Sequence, residues 1–231
     1  MAAIGVMQSP KENGLVGPRI RFDRLRLENI YTHFKWNNDP ELNRLDSEIP
    51  YVEETFGAFK KRFERIMTQP DPECKDFEIH TEDGTLIGVA FVAGISGHHL
   101  HCSIGVTIGE RDFWGQGYGR EAMSSLLSYC FESLGMHRVT ADCFAYNEAW
   151  RSLVEGMGFT AEGTDREYLL WDDKYYDRIR YGMLSGEFVK SVKRVRRKSV
   201  GIRRPARSGG TLSGVSLPDS KQGPSASEAA A

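Results

Sequence analysis

Residues 108–122 read IGERDFWGQGYGREA, with glycines at 115, 117 and 119. Glycine loses more backbone entropy on folding than any other residue, so three at alternate positions call for a local reason. Upstream, LHCSIGVTI (100–108) reads as a strand running into this stretch. Downstream, Ala122, Leu126, Leu127, Cys130, Phe131 and Leu134 share one face of a helix of about four turns, which Gly135 stops. A strand that feeds a Gly-rich turn into a helix N-terminus makes an anion site. The first helical N–H groups lack partners inside the helix, and the macrodipole places partial positive charge there. Glycines let that backbone approach a phosphate closely.

Three phosphate-binding designs share these elements. A P-loop needs Gly-Lys-Ser/Thr, and WGQGYG has neither the lysine nor the hydroxyl. A dinucleotide fold needs GxGxxG inside a βαβ unit, whereas the spacing here is GxGxG and hairpins precede it. A tight turn that needs only a permissive φ is the plain alternative. Three glycines leading straight into a well-formed helix weigh against it.

The flanks give the domain. RIRFDRLRL (19–27) alternates charged and apolar residues, as a half-buried strand does. Residues 29–45 are helical with a break near Asp39-Pro40, and Phe56, Phe59, Phe63 and Ile66 predict an amphipathic helix from about Glu53 to Met67. FEIH (77–80) and LIGVAFVAGI (86–95) flank Asp83-Gly84, a hairpin signal. RVTADCFA (138–145) is a further strand, and Asn147 caps a short helix that ends at Gly158. REYLLW (166–171) and YYDRIRYGML (175–184) form a closing hairpin around Asp172-Asp173. The result is one mixed α/β domain at 19–187, after a polar segment at 1–18.

Composition sets outer limits. Hydrophobic residues make up 40% and charged residues 27%, as in ordinary globular chains. No run reaches the ~18 apolar residues of a membrane span. The N-terminus has no secretory pattern and the four cysteines form no CxxC pair or dense framework, so a cytoplasmic protein is expected. Residues 188–231 hold ten basic and two acidic residues, which leaves 20 basic and 30 acidic in the first 187. An acidic body therefore carries a basic tail that becomes Gly/Ser/Pro/Ala-rich, for which disorder is expected. The tail is either a solvated segment that contacts the body or a weak contact for nucleic acid or an anionic surface.

WGQGYG (114–119) resembles the loop of the GNAT superfamily of acetyl-CoA-dependent N-acetyltransferases, Gln/Arg-x-x-Gly-x-Gly/Ala, with Trp114 in place of the basic or amide residue. The branch with ribosomal-protein N-terminal and spermidine acetyltransferases often reads WGKGY followed by EA. HRVTADCFAYN (137–147), SLVEGMGF (152–159), AEG (161–163) and the final hairpin extend the likeness over roughly 19–184. The resemblance implies a central, mostly antiparallel sheet flanked by helices, with a V-shaped opening for acyl-CoA. It implies that the pantetheine arm runs along Val106, Thr107 and Ile108. The pyrophosphate then sits on Trp114, Gly115, Gln116, Gly117, Tyr118, Gly119 and Arg120. Asn147 matches an asparagine that reaches the pantetheine; a plain helix cap is the other reading, and both can hold.

The implied reaction is transfer of an acetyl group from acetyl-CoA, without a metal, to a primary amine of a small cationic molecule or a protein N-terminus. An ammonium has no lone pair, so a group must accept its proton. The tyrosine that protonates the leaving thiolate in many relatives is replaced by Val154, and a serine used in ribosomal-type relatives by Trp150. Asp142, His101 and Tyr146 are the catalytic candidates, each with a plainer reading as a surface charge, a satisfied histidine or a packing aromatic. His98, His99 and His101 beside Cys102 have the residue types of a metal site, but only 99 and 101 share a strand face and no second ligand cluster is evident. The alternative function is a non-catalytic acyl-CoA-binding module whose basic tail binds nucleic acid or an anionic surface. A homodimer is one assembly left open.

Overall fold

A computed structural model describes residues 17–188; the N-terminal segment up to 16 and the tail from 189 lie outside the described residues. Seven strands make one sheet: β1 (Ile20–Arg24), β2 (Lys75–Thr81), β3 (Leu86–Ser96), β4 (His101–Ile108), β5 (Arg138–Phe144), β6 (Thr160–Trp171) and β7 (Lys174–Leu184). Their spatial order is β1-β2-β3-β4-β5-β7-β6, and every pairing is antiparallel except β4 with β5.

That exception positions the site. A parallel pair needs a crossover, and α4 (Tyr118–Ser128) supplies it. Ala122, Met123, Leu126 and Leu127 are fully buried against the sheet, on the face that the apolar spacing marks. After Ser128 the helix widens into a π turn, Tyr129–Ser133, closed by the Leu134 N–H on the Tyr129 carbonyl at 2.9 Å. Strands β4 and β5 pair only at His101↔Arg138, Cys102↔Val139 and Ser103↔Thr140, and beyond these they part. The sheet is thus two antiparallel halves joined at one end and open at the other.

The interrupted helix expected at 29–45 is α1 (Ile30–Asn37) followed by α2 (Pro40–Asp46). The Asp39 carboxylate accepts the amides of Glu41 and Leu42 at 3.0 and 3.2 Å, and Pro40 opens the new helix. The amphipathic helix is α3 (Phe56–Thr68), whose Phe59 and Phe63 pack on Ile30. Among the described residues no helix is long and apolar enough to cross a membrane.

One polar group lies deep between these layers. Glu78 of β2 is 0% exposed. Its carboxylate takes the Arg26 amide (2.9 Å), the Asn29 side-chain amide (2.6 Å), His33 Nε2 (2.9 Å) and His80 Nε2 (2.9 Å). Burial pushes the carboxyl up, but the bonds from His33, Arg26, His80 and Asn29 outweigh it and hold Glu78 below its ordinary range. This knot fastens α1 and the segment before it to the sheet.

The closing hairpin is longer than its sequence pattern: β6 starts at Thr160, not 166. It is an edge strand, mostly exposed, with register breaks at Ala161/Gly163 and Asp165/Leu169. No alternation of apolar and polar residues marks such a strand.

Candidate active site

The parting of β4 and β5 opens a cavity of about 750 Å³. Ser103 to Ile108 of β4 line one wall, and Asp142 and Phe144 of β5 with Asn147, Trp150 and Leu153 line the opposite one. Phe113, Trp114, Gly115, Gly117, Tyr118, Gly119 and Arg120 form one end. Leu42, Leu45, Asp46 and Glu48 close the side on which α2 lies.

The glycine loop presents bare backbone amides at a helix N-terminus. Gly117 is the N-cap of α4 at φ +86, a conformation L side chains rarely adopt, and it offers no side-chain acceptor to the first helical amides. Among the described residues, the backbone N–H groups from 115 to 120 have no protein acceptor. Six adjacent uncommitted donors at one helix N-terminus, on residues of which all but Gln116 line the cavity, suit a polyanion. Arg19 holds the loop from behind: its guanidinium lies 4.3 Å from the Tyr118 ring centroid, donates to the Gln116 carbonyl and pairs with Glu121 at 2.9 Å.

The structure brings together most residues marked in the sequence. Val106, Thr107, Ile108, Trp114, Gly115, Gly117, Tyr118, Gly119, Arg120 and Asn147 all line the cavity. The Gln116 side chain does not; it folds back on the Asp112 carbonyl. Asn147 is the helix cap foreseen: its Oδ1 accepts the Trp150 amide at 3.0 Å, and its Nδ2 donates to the Leu45 carbonyl at 3.0 Å. It joins α5 (Glu148–Met157) to the end of α2.

The catalytic candidates separate. Asp142 stands in the cavity, 3.6 Å from Arg178 Nη1, and burial raises its carboxyl. Tyr146 lies outside the lining, its hydroxyl donating to the Arg44 carbonyl and its ring packed on Phe144 and Tyr176. His101 requires correction: it is exposed, at the joined end of β4 and β5, with its ring stacked on His99. Closeness in sequence to the cleft misled, because the strands part only after Ser103. Val154 is fully buried in the core.

Two carboxylates missed in the sequence also face the cavity. Asp46, at the end of α2, accepts the Thr107 hydroxyl at 2.9 Å, and the surrounding protein raises its carboxyl by desolvation. Glu48 shares Arg178 with Asp142 and Asp165, at 3.0, 3.6 and 2.9 Å. Asp165 is also paired with Arg180 at 3.2 Å, so the two carboxylates that line the cavity here, Glu48 and Asp142, share the single guanidinium of Arg178, which suits a cation.

The sheet is parted between two parallel strands, with a loop of amides that have no protein acceptor at the mouth of the gap. The family model of the acetyltransferase (GNAT) domain matches residues 19–160, and the chain belongs to that family. It is 33% identical over 99 residues to the uncharacterized N-acetyltransferase YoaA of Bacillus subtilis (strain 168), covering 43% of this chain and 55% of that protein. It is 28% identical over 99 residues to the [ribosomal protein uS5]-alanine N-acetyltransferase of Escherichia coli (strain K12), covering 42% and 50%. The chain thus spans about half the length of these curated relatives. In fold it is similar to the spermidine N-acetyltransferase from Vibrio cholerae solved with CoA and spermine, with a TM-score of 0.67 at 21% identity over 74% of this chain and 98% of that one.

Proposed function

We propose that this chain transfers an acetyl group from acetyl-CoA to a primary amine of a small cationic molecule or a protein N-terminus, by direct attack in a ternary complex. The observation that carries the reading is the row of uncommitted amides from 115 to 120 at the mouth of the parted strands. In this reading those amides bind the pyrophosphate, and the arm lies along Val106 to Ile108. The amine enters past Glu48 and Asp142, where negative charge favours an ammonium. Asp142 accepts the proton, Asp46 and Glu48 being the other carboxylates that line the cavity. Attack on the thioester carbonyl gives a tetrahedral intermediate, whose collapse releases the thiolate of CoA. With valine at 154, that thiolate takes its proton from water or from the protonated carboxyl. The alternative, a non-catalytic module acting through its tail, rests on residues outside the described ones.

The test is thiol release from acetyl-CoA with spermidine, an aminoglycoside and an alanine-initiated peptide as acceptors. Acceleration by any of them supports the reading. Intact acetyl-CoA binding with no acceleration across a broad amine panel contradicts it.

The carboxylates predict a pH profile. A base works only when deprotonated, and burial raises both Asp142 and Asp46 above the ordinary aspartate range. The rate therefore falls as pH drops, along a limb displaced upward from that range. Asp142→Asn is expected to remove that limb and lower kcat by about ten- to a hundredfold with the KM for acetyl-CoA unchanged. The same pattern in Asp46→Asn, with Asp142→Asn active, reassigns the base.

A further inference from the structure

The parting of β4 and β5 leaves backbone carbonyls on two facing edges with no strand to pair with. Gly109 N–H donates to Ile87 of β3 at 2.9 Å, so Gly109 faces β3. By antiparallel alternation, Ile104, Val106 and Ile108 turn their peptide groups toward the open edge. Such carbonyls need a ligand, water or a side-chain donor.

Two indoles supply one donor on each side. Trp114 Nε1 donates to the Ile108 carbonyl at 2.7 Å, and Trp150 Nε1 donates to the Asp142 carbonyl at 2.7 Å. Both rings line the cavity. Trp114 is itself braced: the Arg111 guanidinium lies 5.6 Å from its ring centroid and is held by Asp39 at 2.6 Å and Glu41 at 2.8 Å, at the start of α2. Arg111 is thereby committed to carboxylates. The N–H groups of both indoles thus point at the protein's own backbone.

We propose that Trp114 and Trp150 are paired positioning residues that mark the two ends of the substrate track. Trp114 takes the Ile108 carbonyl, the last acceptor on the open β4 edge, at the point where the chain turns into the loop. It fixes where the loop leaves the strand and so aligns those amides with the pyrophosphate. Trp150 holds the β5 backbone at Asp142, and so sets the direction from which the carboxylate meets the amine. The proposal rests on the acetyl-CoA reading above.

Phenylalanine keeps each ring and removes its N–H. Trp114→Phe is expected to weaken acetyl-CoA binding about tenfold, the loss of one hydrogen bond, with kcat unchanged. Acetyl-pantetheine, which lacks the pyrophosphate, is expected to keep its wild-type KM in that variant. Trp150→Phe is expected to leave acetyl-CoA affinity within twofold and to raise the KM for the amine about tenfold, with spermidine and an alanine-initiated peptide as probes. Melting temperatures confirm that both variants fold. Wild-type affinity in Trp114→Phe, equal losses with acetyl-CoA and acetyl-pantetheine, or the same kinetic pattern in both variants overturns the proposal alone. A wild-type protein that does not bind acetyl-CoA overturns the acetyl-CoA reading and this proposal together, and one inert with every amine removes the Trp150 assignment with the activity.

Discussion

Gly119→Glu is expected to reduce acetyl-CoA affinity by about a thousandfold while the protein stays folded. Position 119 is the useful one in the glycine row. Gly115 and Gly117 have φ of +70 and +86, so any side chain there strains the backbone and confounds binding with folding. Gly119 has no such constraint and sits in the first turn of α4, where a carboxylate is favourable to the helix. A Cβ there meets only Leu153 Cδ2 at 3.7 Å and Ile108 Cγ1 at 3.9 Å, both ordinary contacts facing the cavity. The added carboxylate competes for the loop amides and repels a phosphate. Losing two charge-assisted hydrogen bonds at about 1.5–3 kcal/mol each corresponds to some two to four powers of ten. Calorimetry with acetyl-CoA reads the effect, and Gly119→Ala, expected to bind within a few-fold of wild type, separates charge from bulk.

Glu78→Ala is expected to destabilise the domain by about 3–5 kcal/mol, because it takes the shared acceptor from the buried His33 and His80 and from the half-buried Asn29 and the Arg26 amide. For a domain of this size that is a fall in Tm of roughly 10 °C, readable by circular dichroism. The wild-type carboxyl is held below its ordinary value, so its contribution is complete at neutral pH, above the unfolded pKa. It is lost as pH falls through the folded value. The stability difference between wild type and variant is therefore expected to narrow on acidification from neutrality. A variant that melts with wild type shows that the knot does not secure α1.

The two variants probe features of unequal visibility in the sequence. The glycine loop announces itself because its requirements are local: a strand, a turn needing left-handed φ, and a helix start are adjacent in the chain. Asn147 was equally legible, since a cap acts within three residues. The Glu78 knot was not. FEIH reads as an ordinary strand, and a glutamate in it as a solvent-facing charge, until α1 is folded over that face. Asp46 and Glu48 were hidden for the same reason: DPELNRLDSE carries no motif, and only tertiary packing brings it to Thr107 and Arg178. His101 failed because the register at which two parallel strands part is a property of the pair. The edge strand β6 escaped notice before residue 166 because little of it is buried, and burial is what writes a pattern into sequence.

In the proposed function the amides of 115–120 receive the pyrophosphate of acetyl-CoA. An amide-resolved NMR titration of the full chain with CoA tests it most directly. The largest downfield shifts are expected on Gly115 to Arg120, with smaller ones along Ile104 to Ile108 and none at His98 to His101. Binding with the shifts centred elsewhere, or no shift at the loop at saturating CoA, would contradict it and leave the glycines as the makings of a turn.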